Sequence, residues 1–186
     1  MALLRKRSWL SRLRLAMALF AIGATSAYAG PSEYQVKAVF LFNFAQFVDW
    51  PAEAFPSPDA PFVIGVLGQD PFGSQLDEVV RGERVNGRAL VIERYQSVAQ
   101  IHNCNILFIG GAAAAHLSEI LAALKGRSIL TVSDADPAGP RGVMIRLVNE
   151  NSHIRLRIDV ATAKADSLTI SSKLLRPAQI VGDGEG

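Results

Sequence analysis

The chain has 186 residues, 19 Lys+Arg against 17 Asp+Glu, and a formal net charge of +2. Residues 1–29 hold five of the basic residues (Arg5, Lys6, Arg7, Arg12, Arg14) and no acid, which leaves fourteen basic and seventeen acidic residues, net −3, in the remainder. An acidic body argues against a nucleic-acid partner, and a single cysteine, Cys104, excludes an internal disulfide.

The first predicted element is a leader. Its basic start is followed by an apolar run, Leu15 to Ile22, and then by small residues up to Ala27-Tyr28-Ala29. This is the pattern of a secretory signal cleaved at Ala29-Gly30. The apolar run is shorter than the roughly 20 residues a spanning helix needs. No Cys follows it and no twin arginine precedes it, so ordinary export and a periplasmic product are expected. Residues 30–181 are predicted as a single α/β domain and 182–186 as a flexible tail. A domain of that size buries most of its apolar surface without staples.

Ser32 with Gln35 three residues later is a capping box. It opens a helix predicted over Glu33–Trp50 and stopped by Pro51. Tyr34, Val36, Ala38, Phe40, Leu41, Phe44, Ala45, Phe47 and Val48 fill one broad arc at helical spacing. Lys37 falls inside that arc, so its stem is expected to pack while its head reaches a carboxylate or a chain end from the helix edge. Val39 and Phe42 fall on the opposite, polar side, so the helix has a second apolar contact to make. Ala52–Pro61, with three prolines, reads as a loop.

Phe62–Leu67 is an apolar run ending at Gly68, a buried strand. Asp70 as cap and Pro71 behind it predict a short helix running through Val80. Gly82 and Gly87 bracket a turn before a strand over Ala89–Tyr95. Asn105–Ile109 is a third apolar run, closed by Gly110-Gly111. Ala112–Leu124 is helical, and Ser128–Val132 is a strand ending in Ser133-Asp134. Short apolar strands alternating with helices predict a mostly parallel sheet with helices on both faces. Val143–Val148 and Ile154–Val160 alternate apolar with polar, which predicts an antiparallel C-terminal hairpin at the sheet edge. Ala161–Asp166 and Ser171–Arg176 are short helical pieces.

His102, His116 and His153 lie far apart with no zinc-site spacing, so no metal or cofactor is expected. No nucleophile motif and no phosphate loop is present, and Cys104 reads as a small buried hydrophobe. Gly68, Asp70, Gly110, Ser133 and Asp134 stand at the carboxyl ends of predicted parallel strands, where open sheets bind ligands. They are the candidate ligand pocket. In the hairpin, Arg146, Arg155 and Arg157 project from the face opposite the apolar residues. With Val39 and Phe42 they are the candidate partner interface, fit for an acidic surface.

Three segments together resemble one family. They are Tyr34 to Pro51 (YQVKAVFLFNFAQFVDWP), Val66 to Gly73 (VLGQDPFG), and Leu168 to Leu175 (LTISSKLL) followed by Ala178 to Val181. Gly87-Arg88, Cys104 to Phe108 and Leu130 to Asp134 fit between them. The chain resembles the YfiR-like family of exported bacterial proteins over Tyr34 to Val181. The resemblance implies an α/β fold, no catalytic role, and repression of the periplasmic part of an inner-membrane GGDEF diguanylate cyclase, which lowers cyclic-di-GMP and so bears on biofilm. It also implies an outer-membrane lipoprotein able to sequester the repressor. Relatives often carry further cysteines in disulfides, whereas this chain keeps only Cys104, free for an intermolecular bond if exposed. A homodimer is compatible with the apolar helix. The alternative function is a periplasmic small-ligand-binding module that uses the strand carboxyl ends.

Overall fold

The computed structural model describes residues 31–135 and 142–182. The leader expected over 1–29 lies outside the described residues, as do residues 183–186 of the expected tail. The first helix, α1, spans Glu33–Phe47. Its capping box is formed: Gln35 N donates to Ser32 Oγ at 3.2 Å and Ser32 N to Gln35 Oε1 at 2.6 Å. The helix stops three residues before its predicted end. Val48–Asp49 becomes a short strand, β1, whose partner is Thr169–Ile170 (β9) in an antiparallel pair. Helical periodicity runs on through Val48, but pairing with a distant strand takes that residue instead.

Then follow β2 (Phe62–Leu67), α2 (Ser74–Val80), β3 (Arg84–Val85), β4 (Arg88–Tyr95) and β5 (Ile106–Ile109). After these come α3 (Leu117–Leu124), β6 (Leu130–Ser133), β7 (Ile145–Glu150), β8 (His153–Asp159), α4 (Val160–Ala165), α5 (Ser172–Leu175) and β10 (Gln179–Val181). The main sheet has the order β10-β8-β7-β6-β5-β2-β4-β3. Its centre, β4-β2-β5-β6-β7, is parallel, and β7–β8 is antiparallel. The fold is thus α/β, as read. One addition is β10, too short to carry a pattern, which pairs in parallel outside β8. The hairpin therefore sits one strand in from the edge over part of its length.

Every residue of β2, β5 and β6 is buried, which explains their unbroken apolar runs. Phe62, Ile64, Val66, Ile106, Phe108, Leu130 and Val132 point to one face and pack under α1, α2 and α5. Leu67, Tyr95, Leu107 and Ile109 point to the other and pack under α3. Each fully buried Phe or Ile contributes roughly 1.5–3 kcal/mol, so the two clusters carry most of the stability. Gly65 is needed inside β2, because a Cβ there would lie 2.6 Å from the Tyr95 ring and 2.9 Å from Cys104 Sγ.

Asn105, 3% exposed, ties the amino ends of the central strands. Its Oδ1 accepts from Val63 N at 2.9 Å, and its carbonyl accepts from Leu130 N at 2.8 Å and Trp50 Nε1 at 3.2 Å. The hairpin turns β3–β4 and β7–β8 are two-residue turns, Asn86-Gly87 and Asn151-Ser152, with positive φ at all four residues. That geometry matches the right-handed twist of the strands. Among the described residues no helix is long and apolar enough to cross a membrane.

Candidate functional site

The carboxyl ends of β2, β5 and β6 lie side by side, so Gly68, Gly110 and Ser133-Asp134 occupy one end of the sheet. The first turns of α1 come down on this end. Lys37 is 2% exposed, and its Nζ lies 2.6 Å from Asp134 Oδ2 and 2.5 Å from Glu33 Oε1. Tyr34 OH donates to the same Asp134 oxygen at 3.0 Å, and the Lys37 ammonium sits 4.5 Å from the centre of the Tyr34 ring. Tyr34 in turn stacks edge-on against Phe72, and Phe72 against Phe108. Glu33 also accepts from Asn149 Nδ2 on β7 at 2.6 Å. Lys37 thus joins α1 to the end of β6, and its partner Glu33 extends the link to β7.

The charges are mutually sustained. Burial works against the Lys37 ammonium, but hydrogen bonds to Asp134 and Glu33 outweigh it and hold its pKa above the usual value. The hydrogen bond from Lys37 keeps the Glu33 carboxyl below its usual range, against the opposing effect of burial. Burial, reinforced by the Asp134 charge, raises the Tyr34 phenol. A lysine held charged in this way is a poor nucleophile, and its chemistry here is structural.

The five residues expected to form a ligand pocket separate into two groups. Gly110, Ser133 and Asp134 are together: a Cβ on Gly110 would lie 2.6 Å from the Phe108 ring and 3.2 Å from Asp134 Oδ1. Ser133 Oγ donates to Ile109 O at 2.6 Å and accepts from Ala135 N at 3.1 Å. Gly68 closes β2 with φ +85, its N–H donating to Tyr95 O at 2.8 Å. Asp70 turns elsewhere. Its Oδ1 accepts from Phe72 N at 2.7 Å and its Oδ2 from Arg94 Nε at 2.7 Å. It is therefore a turn residue and not the helix cap, because α2 starts later, at Ser74 behind Gly73. Arg94 also reaches Asp77 at 2.5 Å and holds that carboxyl below its usual range. Hydroxyl and carboxylates at the strand ends are thus engaged by the chain's own donors.

The candidate interface residues fall on two surfaces. Val39 is 47% exposed on α1, and Phe42 is half-buried against the core. The register pairs Arg146 with Arg157 and Val148 with Arg155, so the three arginines share the face opposite Leu147, Leu156 and Ile158. Their exposure differs. Arg155 is exposed, Arg157 is half-buried and Arg146 is 8% exposed. Arg157 bonds Glu150 at 3.2 Å, while its Nε is buried without an acceptor among the described residues.

Cys104 is buried, its Sγ donating to Ile106 O at 3.0 Å, and burial pushes its pKa up to about 12. Sequence reasoning missed Glu33, Tyr34 and Asn149 as members of the Lys37 cluster. The spacing of four residues between Glu33 and Lys37 was the available signal. Among the described residues no group of three or more His, Cys, Asp or Glu side chains is placed to hold a metal ion.

A family model described as YfiR/HmsC-like matches residues 34–179. Among curated proteins none matches the chain significantly.

Proposed function

Because the chain belongs to the YfiR/HmsC-like family, we propose that it is a non-catalytic periplasmic regulatory protein. It is exported by the leader over 1–29 and cleaved at Ala29-Gly30. It binds the periplasmic part of an inner-membrane signalling protein, a GGDEF diguanylate cyclase, and holds it inactive, so that cyclic-di-GMP falls. The single observation that carries this reading is the family match over residues 34–179, nearly the whole chain after the leader.

Two features of the geometry support it. The strand ends, where an α/β protein of this topology would hold a substrate, carry a lysine–carboxylate cluster closed by the chain's own side chains. Apolar surface is meanwhile left on α1, at Val39. Repression then works as a population shift: the protein binds one conformation of the membrane sensor more tightly than the other. Val39, Phe42 and the arginine face are the contact surfaces. An outer-membrane lipoprotein that covers the same surface would relieve repression.

The test is deletion of the gene, with cyclic-di-GMP and biofilm as readouts and a pull-down from membranes probed for the periplasmic domain of a GGDEF protein. Raised cyclic-di-GMP and recovery of that domain are expected. Unchanged levels with no membrane protein recovered would sink the reading.

A further inference from the structure

The outer edge of the hairpin is only half covered. β10 pairs with Arg157, Ile158 and Asp159 of β8. Among the described residues no strand lies beside His153–Leu156. The two-residue turn fixes which backbone groups are free. Glu150 and His153 flank it and form a hydrogen-bonded pair, so the odd-numbered residues of β8 bond to β7 and the even-numbered ones face outward. Asp159 N donating to Met144 O fits that alternation. The N–H and C=O of Ile154 therefore point to the open edge.

A groove of about 560 Å³ runs along this edge, with α1 as its other wall. Val36 and Phe40 from α1 and Ile154 from β8 supply apolar lining. His153 and Arg155 stand on the strand side, and Glu33 on the helix side is already held by Lys37 and Asn149. Arg155, which is exposed, thus places positive charge beside the unpaired strand.

We propose that this groove is a strand-accepting site, which takes an extended segment of a partner protein by β-augmentation. Main-chain bonds to Ile154 supply register. Alternate side chains of the incoming segment reach Val36 and Phe40, and an acidic residue of that segment pairs with Arg155. The proposal rests on the reading that this protein acts by binding another protein, and it names the mode. A bare sheet edge is normally blunted by a charge or a short strand. Here the charge is present, but the edge also borders an apolar groove, which an edge that needs only protection does not require.

The test uses the folded chain without its leader and a display library of random dodecapeptides as probe. Selected peptides should alternate apolar residues with an acid, and the best of them should slow amide exchange at Ile154. Ile154→Pro removes the outward N–H at a position where an edge strand tolerates proline. It should weaken that peptide by about ten-fold, the size of one well-made hydrogen bond. Arg155→Glu should weaken it similarly at unchanged melting temperature, which guards against a misfolded proline variant. Selected peptides that protect residues elsewhere, peptides no richer than those selected on an unrelated protein, or a dimer whose dissociation exposes Ile154 would each overturn the site. If deletion leaves cyclic-di-GMP unchanged while the peptide behaves as expected, the cyclase reading fails and the site stands. If deletion raises cyclic-di-GMP and both variants still repress fully, the site fails and the reading stands.

Discussion

The two ends of the polar story in this protein contrast sharply. At the carboxyl ends of β2, β5 and β6, charged groups are paired with opposite charges of the same chain: buried Lys37 with Asp134 and Glu33, and the more exposed Asp70 with Arg94. Along the β7–β8 flank, charges of one sign lie opposite each other, as with Arg146 and Arg157, and part of the strand edge has no neighbour among the described residues. The first region is closed by the chain itself. The second keeps capacity for something outside it. The region left open is the one to search for a partner's contact surface.

Breaking the closed region should have the largest effect. Lys37→Met removes one partner from a buried network and leaves Asp134 with Tyr34 as its side-chain donor among the described residues, so unfolding free energy should drop by about 3–5 kcal/mol in urea titration. Lys37→Met with Asp134→Leu should recover most of that loss, because the carboxylate that remains, Glu33, is exposed and keeps its hydrogen bond from Asn149. An unchanged midpoint in Lys37→Met would mean that the cluster is ornamental, and loss of partner binding at unchanged stability would make the lysine functional.

Asn105→Ala comes next. It strips the buried Val63 N–H of its acceptor and should cost about 1–3 kcal/mol in the same titration. Acid is a milder probe. The Glu33 and Asp77 carboxyls titrate lower in the folded state than in the unfolded chain. Their contribution is therefore full above the unfolded carboxylate range, about pH 4, and is lost as pH falls through the folded values. Glu33→Gln should flatten that acid slope in a series of urea melts between pH 5 and 2. Smallest of all, Arg155→Ala should shift stability by less than about 0.5 kcal/mol, because it is exposed. A large loss there would place the flank inside the folding unit and erase the contrast between the two regions.

The fold was largely legible because its central strands are buried on both faces and so have no polar residue to interrupt them. The capping box at Ser32 fixed where α1 begins. Its end was not legible, since Val48 continues the helical arc and only contact with Ile170 turns it into strand. β10 has three residues and no pattern to read. At the candidate site, the misfit of Lys37 in an apolar arc pointed to a packed stem with a head reaching out to a carboxylate or a chain end; it did not show the head buried, because Asp134 lies 97 residues away and no local spacing connects the two. Alternation placed Arg146, Arg155 and Arg157 on one face. It did not show that Arg146 is buried and Arg155 exposed, because that depends on what lies above the strand.

The small β1–β9 ladder has a consequence for how the molecule assembles. It joins Val48 to Ile170, more than 120 residues apart, and Ser171 N adds a bond to Phe47 O. Closing so long a loop has an entropic cost that is met only when both ends are present, and contacts of such separation slow folding. The base of α1 is thus held by residues from the far end of the domain, and a chain cut short before residue 170 would leave it without its partner strand.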